Sequence, residues 1–116
     1  MKKSVKLYGI KNCSTVQKAI KWLTNKDFEV AFHDFKKEKL TEELIGEWLS
    51  SIPVETLINK RGLTWRKLTD EEKDMIHCKN ISGLIITYPT ILKRPVVNHN
   101  NDWLVGFNES EWLERF

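Results

Sequence analysis

The stretch "LYGIKNCSTVQKAIKWL", Leu7–Leu23, decides how the rest of the chain is read, because the apolar pattern changes period across a single cysteine. Val5, Leu7, Tyr8 and Ile10 read as a short buried strand that Gly9 and the turn-forming Asn12 bring to an end. From Ser14 onward Val16, Ala19, Ile20 and Leu23 recur at helical spacing, with Lys18 and Lys21 on the other face and Asn25 near the stop. Cys13 therefore stands between a strand and the start of an amphipathic helix. "EVAFHDF", Glu29–Phe35, alternates Val30, Phe32 and Asp34 against Ala31 and His33 and predicts a second strand. Strand, helix and strand in so short a span make a βαβ unit with parallel strands.

Working outward, the middle of the chain turns helical. Thr41 caps a helix with Glu42 and Glu43 in its first turn and Leu44, Ile45, Trp48 and Leu49 on its apolar face. Pro53 suits the first position of a short helix, "PVETLIN", closing near Gly62. "TDEE", Thr69–Glu72, has capping-box spacing, and Ile81, Leu84, Ile85 and Tyr88 form a further apolar face that Pro89 ends. "PVVNHNNDWLVGF" then reads as two strands around an Asn-rich turn, and "NESEWLERF" as an Asn-capped closing helix. The predicted order is βαβ, helices, ββα. That is an α/β thioredoxin-like fold with a mixed sheet, one domain over 1–116, its core at about 4–36 and 90–116 and an inserted helical lobe at about 40–89.

Composition bounds the function classes. The chain has 116 residues, long enough for one core, and is 41% hydrophobic and 30% charged, as ordinary globular domains are. Nineteen basic against sixteen acidic residues leave a net charge of +3, scattered rather than gathered into the dense stripe that phosphate backbones require, so direct nucleic-acid binding is not expected. "MKKSVKLYGI" is too short and too interrupted by lysine to be a leader core or a membrane span, which makes a cytoplasmic protein the expectation. Two cysteines, Cys13 and Cys78, do not make a disulfide framework. His33, His77 and His99 have no metal-ligand spacing with either of them, so no metal is expected.

In a thioredoxin-like fold the position of Cys13 acquires chemical meaning. The loop after the first strand lies at the carboxyl end of the sheet, where open α/β folds place their ligands. A thiol at a helix N-terminus meets backbone N–H groups and the positive end of the helix dipole, which favour the thiolate. The competing reading is a small buried hydrophobe, the commonest use of an isolated cysteine. Asn12, Ser14 and Thr15 around Cys13 are polar and turn-forming rather than core-like, and are candidate substrate-binding residues. Cys78, in "MIHCKN", has no glycine or capping pattern around it and reads as surface.

"LYGIKNCSTVQKAIKWL", "NKRGLTWRKL", "ILKRPVV" and "LVGFNESEW", in that order, resemble the ArsC/Spx family and most closely its short YffB-like branch. The resemblance implies that Cys13 is the active-site cysteine and that Pro95 is a cis-proline facing it. Family arsenate reductases hold their oxyanion with three arginines. Here Arg94 matches directly, Arg61 is the nearest candidate for the lobe arginine although displaced by two positions, and Gly106 occupies the place of the third. The set is incomplete for a multiply charged arsenate. Arg66 reads as solvated surface.

Two functions from different classes follow from this resemblance. The first is a thiol reductase with Cys13 and Arg94 as catalytic residues and Arg61 and Pro95 at the substrate. Glutathione would serve as co-substrate, with no bound cofactor, a small disulfide or oxyanion as substrate, and a monomeric protein. The second is a Spx-type transcriptional regulator that docks on the RNA polymerase alpha subunit. Redox-sensing Spx proteins generally carry a second cysteine three residues from the first, where this chain has Ile10 and Val16, and they have a tail where this sequence ends at Phe116. The reductase is the favoured expectation.

Overall fold

The computed structural model describes residues 3–116; Met1 and Lys2, part of the stretch read above for a leader, lie outside them. By its internal contacts the chain divides into two compact units. One comprises the residues through Asp34 together with Arg94–Phe116, and the other is Phe35–Lys93.

The first unit holds β1 (Lys3–Gly9), α1 (Ser14–Asn25), β2 (Phe28–Asp34), β3 (Val96–His99), β4 (Asp102–Val105) and α7 (Glu109–Arg115). Its four strands form one mixed sheet in the order β2-β1-β3-β4. β1 runs parallel to β2 in the register Leu7 with Phe32, and antiparallel to β3 in the register Leu7 with Val97. β3 and β4 form a hairpin whose turn residues, Asn100 and Asn101, both take positive φ, which asparagine tolerates better than most residues. The thioredoxin-like arrangement expected from the sequence is thus present.

On one sheet face Val5, Leu7, Phe28, Val97 and Leu104 bury themselves against Val16, Ala19 and Leu23 of α1 and Trp112 of α7. Asn108 fixes the start of α7, its side chain accepting from the Glu111 amide at 3.0 Å. Trp112, 1% exposed, is surrounded edge-on by Trp22 and Phe107 and tilted against Phe116, with ring centroids 4.8–5.6 Å away. On the opposite face Tyr8 packs against His33 and Trp103. The alternation expected in β2 holds for Val30, which packs against this core, but Phe32, expected inside, is 38% exposed. β2 is an edge strand, so its last turns of chain are flanked by β1 on one side only.

The second unit is built of short helices: α2 (Glu42–Ser51), α3 (Val54–Leu57), α4 (Leu63–Lys67), α5 (Asp70–Asp74) and α6 (Ile81–Thr87), with 3₁₀ turns at Met75–His77 and Pro89–Ile91. The predicted caps are made: Thr41 Oγ1 accepts from the Leu44 amide, and Thr69 and Glu72 form a reciprocal capping box. Ile45 and Trp48 from α2 and Leu84 and Ile85 from α6 are buried. The helix expected over "PVETLIN" is shorter than read. Pro53 caps it rather than opening it, and it ends at Leu57, because Ile58 turns extended to form a bridge with Leu92. Gly62, expected to close that helix, instead caps α4, a helix the apolar pattern did not announce because none of its residues is buried. None of the helices among the described residues is long and apolar enough to cross a membrane.

Candidate active site

Strand register brings the first group of candidate residues to one end of the sheet. Tyr8 of β1 pairs with Val96 of β3, and because the two strands are antiparallel, the exit from β1 coincides with the entry to β3. Cys13 lies five residues past Tyr8 and Arg94 two residues before Val96, so both arrive at the carboxyl end of β1. The Arg94–Pro95 bond is cis, as the resemblance implied. Pro95 is buried, and its carbonyl accepts from the Gly106 amide at 2.8 Å.

Cys13 is the N-cap residue of α1, extended at φ −112° and ψ 121°, and its carbonyl takes the first helical bond from the Gln17 amide at 3.0 Å. The loop before it is tied down by Gln17, whose side-chain amide donates to the Lys11 carbonyl at 2.9 Å. The thiol is half-buried and packs against the core of the unit. Burial alone would push the Cys13 thiol up. It is nonetheless held below the usual thiol value by the Val16 amide, by a hydrogen bond from and the positive charge of Arg94, and by the Thr15 amide. The sulfur makes no regular side-chain cap, yet these donors all bear on it and together outweigh the desolvation that opposes the anion. Of its neighbours, Asn12 is exposed in the loop, and in the first turn of α1 Ser14 is exposed and Thr15 half-buried.

Gly106, which the resemblance sets at the place of the reductases' third arginine, has φ +76° and nothing within 4 Å of where a Cβ would stand. Space would allow a side chain, but the backbone conformation resists one. The missing cation is thus a property of the backbone as well as of the side chain.

Arg61 belongs to the second unit. It sits in the turn Asn59–Gly62, where its amide donates to Asn59 Oδ1 at 3.1 Å and its carbonyl accepts from Arg66 Nη2 at 2.9 Å. Arg66 is exposed, as expected from the sequence, and from that surface position its guanidinium also makes this bond. A signal for half of this was present, since Asn followed three residues later by Gly is a turn pattern in which the Asn side chain bonds its own backbone. The Arg66 bond carried no such signal, because a five-residue separation across a turn has no characteristic period. Cys78, exposed at the end of the Met75–His77 turn, donates its thiol to the Asp74 carbonyl at 3.6 Å.

Comparison with known proteins agrees with this geometry. A model of the ArsC family matches residues 8–115. An uncharacterized protein of Haemophilus influenzae is 34% identical over 112 residues, covering 97% of this chain and 98% of its own length. The solved structure of a YffB protein superposes with a TM-score of 0.84 at 30% identity, over 95% of this chain and 96% of that one. The solution structure of an arsenate reductase (ArsC) related protein from Brucella melitensis is 36% identical, with a TM-score of 0.76 over 96% of this chain and 92% of that one. On the family match across nearly its whole length, on these relatives and on its thioredoxin-like fold, this chain belongs to the ArsC family and is YffB-like.

Proposed function

We propose that this protein is a cytoplasmic thiol reductase that works through one cysteine and draws its electrons from glutathione. The observation that carries the reading is the environment of Cys13. Its half-buried thiol is held below the usual value because Arg94 and the first amides of α1 outweigh the cost of burial. A thiolate so stabilised is both a nucleophile and a good leaving group, which a monothiol reductase needs in turn.

In the proposed cycle the Cys13 thiolate attacks one sulfur of a disulfide R–S–S–R′, forming Cys13–S–S–R and expelling R′S⁻, which takes up a proton. A glutathione thiolate then attacks the Cys13 sulfur of that mixed disulfide, freeing RS⁻ and leaving Cys13–S–S–G. A second glutathione thiolate attacks the glutathione sulfur of Cys13–S–S–G, releasing Cys13 as thiolate and leaving oxidised glutathione. Two glutathiones thus supply the two electrons that reduce one disulfide. Arg94 stays beside the sulfur in its anionic states, and Asn12, Ser14, Thr15 and Pro95 line the approach to it. By the family's pattern, Arg61 meets an anionic group of the ligand through a charge-assisted contact.

Arsenate is a poorer fit. By the family's pattern three arginines hold arsenate, and the resemblance puts Gly106 in the place of the third. The regulator reading is disfavoured by Ile10 and Val16, both buried hydrophobes where a switch cysteine would have to stand. The test is the fate of the sulfur. Mass spectrometry of peroxide-treated protein exposed to glutathione should show a one-to-one adduct at Cys13, with Cys78→Ser turning over normally and Cys13→Ser inactive. A Cys13–Cys78 disulfide, together with an inactive Cys78→Ser, would overturn the external-thiol cycle. Stoichiometric binding of the RNA polymerase alpha subunit by an otherwise inactive protein would favour the regulator.

A further inference from the structure

The turn that carries Arg61 is fixed more tightly than a surface loop requires. Asn59 anchors it: its amide donates to the Ile91 carbonyl at 2.7 Å, its carbonyl accepts from the Gly62 amide at 3.2 Å, and its side-chain oxygen takes the Arg61 amide. Gly62 permits this closure, because a Cβ there would meet Asn59 Nδ2 at 3.0 Å. Arg66 then braces the other side of Arg61 by donating to its carbonyl at 2.9 Å. Both backbone polar groups of Arg61 are thereby held by neighbouring side chains.

This turn borders a cavity of about 410 Å³ lined by Glu55, Ile58, Asn59, Lys60, Arg61 and Lys93. Three basic residues and one acidic residue are thus in its lining. Lys60 Nζ lies 2.6 Å from Glu55 and also stands over the Trp65 ring at 5.8 Å, so the Lys60 charge already has a partner within the lining. The Glu55 carboxyl is held below its usual range by the Lys60 hydrogen bond, with His77 adding at 3.9 Å. Arg61 and Lys93 supply the cavity's remaining positive charge. Guanidinium and ammonium groups around a small cavity suit a carboxylate.

We propose that this cavity of the helical unit binds a carboxylate group of the peptide thiol, and that Asn59 and Arg66 are positioning residues that hold Arg61 for it. The identity of the ligand rests on the function proposed above; the site itself rests on the cavity and the two bonds at Arg61.

The experiment is a titration of the full-length Cys13→Ser, Cys78→Ser protein, in which no mixed disulfide can form, with glutathione, glutathione diethyl ester and inorganic phosphate. It is followed through the backbone amide resonances of Lys60, Arg61 and Gly62. Glutathione should shift these amides in a saturable way, and the ester, which has no free carboxylate, should not. Arg66→Ala should weaken glutathione binding about 2- to 10-fold, as loss of one net hydrogen bond implies. Arg66→Lys, which keeps a donor, should recover part of it. A merely structural role would lower affinity for ester and acid alike, so the ratio between them is the decisive readout. Equal response to the ester, saturation by phosphate at lower concentration than by glutathione, or an Arg66→Ala protein that binds as tightly as its parent would overturn the proposal. If the amides stay unmoved while wild-type Cys13 forms its glutathione adduct, this site is wrong and the reductase stands. If the amides respond but wild-type Cys13 proves unreactive, the site stands and the reductase fails.

Discussion

The two units place their functional groups by different means. In the sheet unit the placement is done by backbone. Cys13 and Arg94 are 81 positions apart in the chain, yet pairing of Tyr8 with Val96 delivers both to one end of the sheet, and no side-chain bond is needed to bring their loops together. In the helical unit no such ladder exists beyond the single Ile58–Leu92 bridge, and its helices run from four to ten residues. There the work is done by side chains: Thr41 and the Thr69–Glu72 box start helices, Thr64 meets Thr90 hydroxyl to hydroxyl at 2.7 Å, and Asn59 and Arg66 fix the Arg61 turn. A site set by register resists single substitutions outside it, whereas a site set by side chains can be loosened one residue at a time.

The two buried tryptophans test this contrast at its largest scale. Trp112 of α7 and Trp48 of α2 are 1% and 0% exposed. Each truncation to alanine should cost about 3–5 kcal/mol in urea unfolding, from lost burial and the cavity left behind. Trp112→Ala should also alter Cys13 alkylation, because Trp112 and Cys13 share one core, whereas Trp48→Ala should leave the alkylation of the folded fraction unchanged. Equal effects on alkylation would break the distinction between the units.

Gly106 gives the next effect in size. Installing the absent cation as Gly106→Arg places a side chain at φ +76°, which should cost about 1–2 kcal/mol and confer little arsenate reduction. A stable Gly106→Arg protein with high arsenate turnover would show that the backbone is no obstacle.

The smallest effect concerns His99, whose ring lies between Phe28 and Phe116 at 5.4 and 4.7 Å. Its Nδ1 is buried without a partner and its Nε2 meets Asn100 Nδ2 at 3.3 Å. Burial, helped by the Lys3 charge and opposed by Asp102, holds the His99 pKa below the usual histidine value. Below a pH of about 6.5 the unfolded chain therefore binds a proton that the folded one refuses. The resulting stability is present above that pH and lost as pH falls through it. His99→Phe should show a shallower loss of stability than wild type between pH 7 and 5; an identical slope would remove His99 from the account.

The contrast between the units also explains what the sequence revealed. β1, α1, the hairpin and α7 were legible because Val5 and Leu7, Val16, Ala19 and Leu23, and Asn108 with Trp112 carry clean periods and caps that burial enforces. Cys13 could be placed at the head of α1 from the change of apolar period, whereas Arg94 was assigned only through the resemblance that "ILKRPVV" carries. Phe32 misled because an edge strand keeps its alternation while losing its cover. In the helical unit α4 buries none of its residues and so left no apolar stripe to read, and Ile58 exchanged its helical pattern for a two-residue bridge. Arg66 escaped notice for the reason that makes it useful: its bond to Arg61 spans a turn, and only the folded turn brings the two together.

The central claim, that Cys13 is a stabilised thiolate held by Arg94 and the first amides of α1, is tested most directly by the pH dependence of its alkylation. The rate should follow an apparent pKa below that of a free cysteine, because Arg94 and the α1 amides lower it against the cost of burial. Arg94→Ala should move that pKa upward, since burial would remain while the hydrogen bond and the charge are gone. A wild-type profile with the pKa of an ordinary thiol, or an Arg94→Ala profile that superposes on it, would contradict the account.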